Sequence, residues 1–125
     1  VPLYGSRISA GIASPADDHI DHYLDLNYHL IKRPGSTFLV RVEGDSMTGV
    51  GIYNHDILIV DRSVKPTNGN IIVAVIDNEF TVKRLRMLGK QITLLPENPD
   101  FKPVVITEDM NFQIWGVVLH GIRNF

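Results

Sequence analysis

The chain of 125 residues has the length of one ordinary domain, enough to bury roughly two-thirds of the surface its unfolded form exposes. With 44% hydrophobic and 21% charged residues it is neither disordered nor fibrous, and a formal charge of −2 excludes a broad basic field for clamping nucleic acid. Cysteine is absent, which excludes disulfides, thiolate catalysis and cysteine-bound zinc and suits a reducing compartment.

Residues 1–18, VPLYGSRISAGIASPADD, contain two prolines, two glycines and a cluster of small Ser and Ala residues around Gly11, with no sustained period. This composition predicts an extended, flexible N-terminal arm, set apart from a domain over 19–125. The chain opens on Val1 and not on Met, so a processed or missing start is expected. The N-terminus lacks the charged-then-apolar layout of a signal peptide, and the longest apolar runs, such as Ile71 to Ile76, fall far short of the ~20 residues of a membrane span. A cytoplasmic protein with no membrane partner is the expectation.

From Ile20 the pattern changes. Leu26, Leu30 and Ile31 fall on one helical face, Asp25 or Asn27 can cap the start, and Pro34-Gly35 stops it, which predicts one short helix. After Gly35 the signals become β. TFLVRVE alternates and DILIVDR is a short apolar run, while NIIVAVID and EFTVKRL flank Asp77-Asn78, a pair that tolerates the left-handed conformation of a tight hairpin. QITLLPE, KPVVITE and FQIWGVVLHG complete about seven short strands. The fold class is therefore mostly β, a curled antiparallel sheet or small barrel.

The stretch GDSM, Gly44 to Met47, follows the first of these strands. Its serine is either a turn residue or a nucleophile, and a serine hydroxyl attacks only when a nearby base takes its proton. His19, His22 and His29 precede the sheet in a polar region that favours surface placement, and His55 in Tyr53-Asn54-His55-Asp56 reads as a solvated loop residue. His120 completes the five histidines. His19 and His22 have the spacing of a metal pair, but the sequence places no third ligand, so neither metal nor cofactor is predicted.

Lys83 is more informative. In EFTVKRLRM, alternation puts Thr81, Lys83 and Leu85 on one face, so the lysine is either half-buried beside Leu85 or an edge-strand lysine that discourages aggregation.

The stretch FLVRVEGDSMTGVGIYNHDILIVDR, followed by Lys83 inside GNIIVAVIDNEFTVKRL, resembles the self-cleaving serine peptidases of the LexA and UmuD family. The resemblance runs over nearly the whole chain, from PLYGSRISAGIASPADD through DLNYHLIKRP to FQIWGVVLHG. It implies that Ser46 is the nucleophile and Lys83 the general base. A free lysine, with a pKa of about 10.4, is neutral in only roughly one molecule in 2,500 at pH 7, so such a base needs a site that penalises its charge. The backbone N–H groups of Asp45 and Ser46 are the natural oxyanion donors. By the same resemblance the substrate is the chain itself, cut between Ala10 and Gly11, where Gly11 has no Cβ to obstruct the approach of the serine. One departure stands out: the family often has glycine at the position of His55.

Repressors of the family carry a winged-helix DNA-binding domain ahead of the cleavage site, and the ten residues before Gly11 hold no helix-turn-helix pattern. The resemblance thus implies an accessory protein of SOS mutagenesis without sequence-specific DNA binding. A RecA filament on single-stranded DNA is expected to stimulate self-cleavage, and the shortened homodimer to join a Y-family polymerase of the UmuC type in translesion synthesis. The alternative is the self-cleaving domain of a LexA-type or phage repressor.

Overall fold

The computed structural model describes residues 1–5, 8, 10, 11 and 20–125, so most of the predicted arm, and His19, lie outside the described residues. The chain forms two compact units, Val1–Lys32 and Arg33–Phe125.

In the first unit, β1 (Pro2–Tyr4) pairs antiparallel with β2 (Ile20–Tyr23), Leu3 lying opposite His22. The Val1 amine closes the end of this ladder on the Leu24 carbonyl at 2.8 Å. Sequence reading assigned residues 2–4 to the arm because three residues are too few to show a period. The predicted helix is α1, Leu26–Leu30, and of the two candidate caps it uses Asp25, whose carboxylate accepts from the N–H groups of Asn27 and Tyr28. It ends at Ile31, before Pro34-Gly35, and buries none of its side chains.

The second unit is a seven-stranded sheet of β3 (Thr37–Arg41), β4 (Ile57–Asp61), β5 (Ile71–Ile76), β6 (Glu79–Leu88), β7 (Gln91–Leu95), β8 (Val104–Val105) and β9 (Phe112–Ile122). Each of the seven predicted segments coincides with one of them, β6 and β9 running past the predicted ends to Leu88 and Ile122. All pairings are antiparallel, in the order β3-β4-β9-β5-β6-β7-β8, so the sheet is open, with β3 and β8 at its edges. The β5–β6 hairpin turns on Asp77 and Asn78 at φ 49° and 70°, as their tolerance of the left-handed region predicts.

Strand β9 carries the curl. Its register against β4 slips at Leu119 and against β5 at Trp115, and each extra residue bends the strand. Gly116 sits beside the second slip, where an added Cβ would come within 2.6 Å of Val60 Cγ1, so close contact of β9 with β4 requires glycine. The curl brings distant strands together: Phe38 of β3 and Phe80 of β6 both pack on Trp115, with ring centroids 5.3 and 5.7 Å away.

Two apolar clusters line the sheet. Ile72, Ala74, Leu85, Leu94 and Val117 form one, and Val42, Leu58, Val60 and Val73 the other. Ile72 and Ala74 thus pack on one side of β5 and Val73 on the opposite side, the period-two consequence of a strand buried on both faces. Each fully buried side chain of this kind contributes roughly 1.5–3 kcal/mol of burial free energy.

Candidate active site

Ser46 lies between β3 and a single 3-10 turn at Thr48–Val50. Gly44 starts the bend at φ 95°, a left-handed conformation that glycine adopts without steric penalty, and its N–H is held by Asn54 Oδ1 at 2.9 Å. Met47, only 2% exposed, anchors the loop in the core. From the far side the loop is braced by the segment after β7. Glu97 donates its N–H to the Ser46 carbonyl at 2.7 Å, and Gly49 donates to the Glu97 carbonyl at 2.7 Å. A Cβ on Gly49 would collide with that same carbonyl oxygen, so the brace closes only around glycine. Asn98 Nδ2 donates to the Asp45 carbonyl at 2.8 Å.

Lys83 projects from β6, and its Nζ lies 2.7 Å from Ser46 Oγ. The strand lies between β5 and β7, with β7 pairing from Arg84 onward, and it is the contact of the amine with Ser46 that sets aside the edge-strand reading of this lysine. Alternation explains its setting: Leu85 on the same face is fully buried, and Lys83 is half-buried. Burial penalises the ammonium form and pushes the Lys83 pKa below its ordinary 10.5. Nζ also donates to Thr81 Oγ1 and to the Val82 carbonyl, each at 3.1 Å. These partners hold the amine on Ser46. A cleft of about 300 Å³ opens above the pair, with Arg41, Val42, Glu43 and Gly44 on one wall and Phe80 to Lys83 on the other.

Among the described residues, no group accepts a hydrogen bond from the N–H of Asp45 or of Ser46. Ala10 and Gly11 are both exposed, in the first unit.

His55 takes φ 75°, the left-handed region that glycine adopts more readily than any residue with a Cβ. It is exposed, its N–H bonds the Val42 carbonyl at 2.8 Å, and its own carbonyl accepts from Arg41. Its neighbour Asp56 is buried and takes both carboxylate oxygens to Arg123, at 2.9 Å each. Hydrogen bonds from Arg123 and from the Tyr53 N–H hold the Asp56 carboxyl below the usual range, and Arg123 stacks on Tyr53 at 4.2 Å. His22 bonds Asp21, His29 is exposed in the last turn of α1, and His120 is half-buried on β9. None of the three lines the cleft. Among the described residues no three His, Asp or Glu side chains converge as a metal site.

Sequence reading placed Thr81 beside Lys83 but gave it no part in the site. It missed Glu97 and Asn98 altogether, since nothing local marks a residue whose contact to the serine loop spans some fifty positions.

A serine hydroxyl in hydrogen-bond contact with a half-buried lysine amine, on an antiparallel β scaffold, is the arrangement of serine peptidases that work without histidine. The model of the S24-like peptidases matches residues 2–119, and the chain belongs to that family, the one to which the motifs around Ser46 and Lys83 point. It is 47% identical to protein SamA of Salmonella typhimurium, the match covering 98% of this chain and 87% of SamA. With protein ImpA of Escherichia coli the identity is 45%, over 98% of this chain and 83% of the relative. The LexA repressor of Erwinia tasmaniensis is 42% identical, and the match covers 99% of this chain but 61% of the repressor. No helix among the described residues is long and apolar enough to cross a membrane.

Proposed function

We propose that this protein cuts its own Ala10–Gly11 bond with a Ser46–Lys83 dyad, as the switch of an SOS mutagenesis accessory protein. The observation that carries the reading is the 2.7 Å contact between Ser46 Oγ and Lys83 Nζ at a site that disfavours the charged amine. In its neutral form Lys83 offers a lone pair to the Ser46 hydroxyl. The amine takes the hydroxyl proton as Oγ bonds to the Ala10 carbonyl carbon, and the N–H groups of Asp45 and Ser46 stabilise the oxyanion. The ammonium then returns that proton to the Gly11 nitrogen as the peptide bond breaks. Water, deprotonated by the same amine, hydrolyses the acyl-serine and restores the hydroxyl.

In this reading a RecA filament on single-stranded DNA triggers the cut, and the shortened homodimer serves a Y-family polymerase of the UmuC type in the cytoplasm. The identity to SamA and ImpA across most of their lengths supports it over the repressor reading. The LexA match keeps that second reading in play, and a helix-turn-helix encoded upstream of Val1 would decide for it.

The chemistry is tested without the filament. Only the neutral amine is a base, so the self-cleavage rate rises with pH through the lowered Lys83 pKa and levels off with a midpoint below 10.5. The product is a fragment beginning at Gly11, identified by mass. Ser46→Ala and Lys83→Ala reduce the rate by on the order of 10⁴-fold or more. Cleavage that persists in either variant contradicts the dyad. The same burial acts on stability: the penalty on the ammonium is fully present below the lowered pKa and is relieved as the pH rises through it towards 10.5.

A further inference from the structure

We infer that Asn98 is a positioning residue for the oxyanion donor: by holding the Asp45 carbonyl it fixes the one amide plane whose other end is the Ser46 N–H. The inference rests on the Ser46–Lys83 reading above and adds a residue outside the cleft.

The Asp45 carbonyl and the Ser46 N–H belong to a single planar trans peptide, so they point in opposite directions. Whatever holds the first aims the second. Asn98 Nδ2 reaches the Asp45 oxygen at 2.8 Å and Thr48 Oγ1 at 3.4 Å. Its own Oδ1 accepts from the Asp100 N–H at 2.9 Å, which fixes which end of the side-chain amide faces the loop. The only other hydrogen bond to the Asp45 carbonyl among the described residues is a long one, 3.4 Å, from the Thr48 N–H. Asn98 lines a different groove, with Gly49 and Glu97, while Ser46 lines the cleft that Asn98 does not. The amide plane therefore passes between the two, with its donor end directed away from Asn98.

The next amide is held separately. The Ser46 carbonyl accepts from the Glu97 N–H at 2.7 Å, a backbone contact that side-chain substitution at 98 leaves in place. Lys83 takes its partners from Ser46, Thr81 and Val82 and none from Asn98. Donor and base are thus positioned by different parts of the structure, and they are separable by experiment. A donor must meet the position the oxyanion will occupy, and small displacements of such groups are expensive in rate.

The test uses the full chain at alkaline pH, with the Gly11 fragment quantified across a pH series for wild type, Asn98→Asp, Asn98→Ala and Ser46→Ala. Asn98→Asp is the sharper variant: it keeps the acceptor for the Asp100 N–H and so the local turn, but it sets a carboxylate oxygen against the Asp45 carbonyl. The plateau rate is expected to fall by about ten- to a hundred-fold in both Asn98 variants. The midpoint of the pH profile is expected to stay at the wild-type value in Asn98→Ala, which adds no charge near Lys83. A plateau near the wild-type rate in Asn98→Asp overturns the inference. So does a fall matched by a displaced midpoint in Asn98→Ala, since Asn98 would then act through the lysine or the fold at large. Cleavage that survives in Ser46→Ala is a different failure, that of the dyad itself.

Discussion

Between Val1–Lys32 and Arg33–Phe125 the difference lies in what each can bury. In the first unit Leu3, Tyr4, Ile20, Tyr23, Leu26 and Tyr28 are all at least 41% exposed, and two short strands and a five-residue helix are marginal structures on their own. In the second, every buried apolar side chain of the described residues is gathered around the curled sheet. A segment with so little buried area opens at small free energy, whereas a base and a nucleophile work only if held in register. On the proposed function the two requirements fall on different parts of one chain: the scissile bond needs to be extractable, and the dyad needs to be fixed.

The largest expected effect comes from truncating each unit once. Leu58, 0% exposed in β4, belongs to the apolar cluster with Val42, Val60 and Val73. Leu58→Ala is expected to destabilise the protein by about 2–5 kcal/mol through lost transfer free energy and the cavity left behind. Leu26, 52% exposed in α1, loses little contact on truncation, and Leu26→Ala is expected to change stability by about 0.5 kcal/mol or less. Denaturant unfolding of the two variants measures the contrast, and equal losses would break it.

A smaller effect concerns the charged side of the second unit. Asp61 is 1% exposed at the end of β4, and burial by itself pushes its pKa up. The Ser63 hydroxyl and N–H, the Ser36 hydroxyl and the charge of Arg33 outweigh that effect and hold it at about 2. Because the folded pKa is depressed, the contribution to stability is complete above the ordinary 3.8 and is lost as the pH falls through about 2. Asp61→Asn is expected to lower stability by about 2 kcal/mol at neutral pH and to flatten the acid limb of the stability curve between those two values. An acid limb as steep as in the wild type would show that other carboxylates set it.

Much of this architecture was legible because it is periodic or local. Alternation, short apolar runs and the turn residues between them located the seven strands, alternation put Thr81, Lys83 and Leu85 on one face, and the Asp77-Asn78 pair marked its hairpin. The helix was marked by the spacing of Leu26, Leu30 and Ile31 and by a cap at Asp25 or Asn27, of which the fold uses Asp25. What stayed hidden depends on tertiary approach. The clash that makes Gly49 necessary involves a carbonyl of Glu97, and the one at Gly116 a methyl of Val60. Only curl at β9 brings the serine loop against β6, and the register slips behind it at Trp115 and Leu119 have no sequence signature. The Ser46–Lys83 pairing was likewise read from family motifs; spacing alone left a turn serine and a strand lysine.

His55 gives the smallest and most discriminating prediction. Its loop belongs to the fixed unit, tied to β3 through Arg41, to the residue after it through Val42, and to the C-terminal end through Asp56 and Arg123, yet it contains a non-glycine residue at φ 75°. Histidine tolerates that region better than most residues, so the strain is modest, on the order of 1 kcal/mol. Glycine removes it but gives back part of the gain through the greater freedom of the unfolded chain, leaving a net stabilisation of about 0.5 kcal/mol for His55→Gly. A β-branched residue has no such tolerance, and His55→Val is expected to destabilise by about 1–2 kcal/mol. Thermal melts give the two signs, and the alkaline cleavage profile gives the functional comparison. If the loop only supports the site, the midpoint set by Lys83 stays in place in both variants. A displaced midpoint in His55→Gly would mean that this bend reaches the dyad through Arg41 and the cleft wall, whose guanidinium the His55 carbonyl accepts at 3.1 Å.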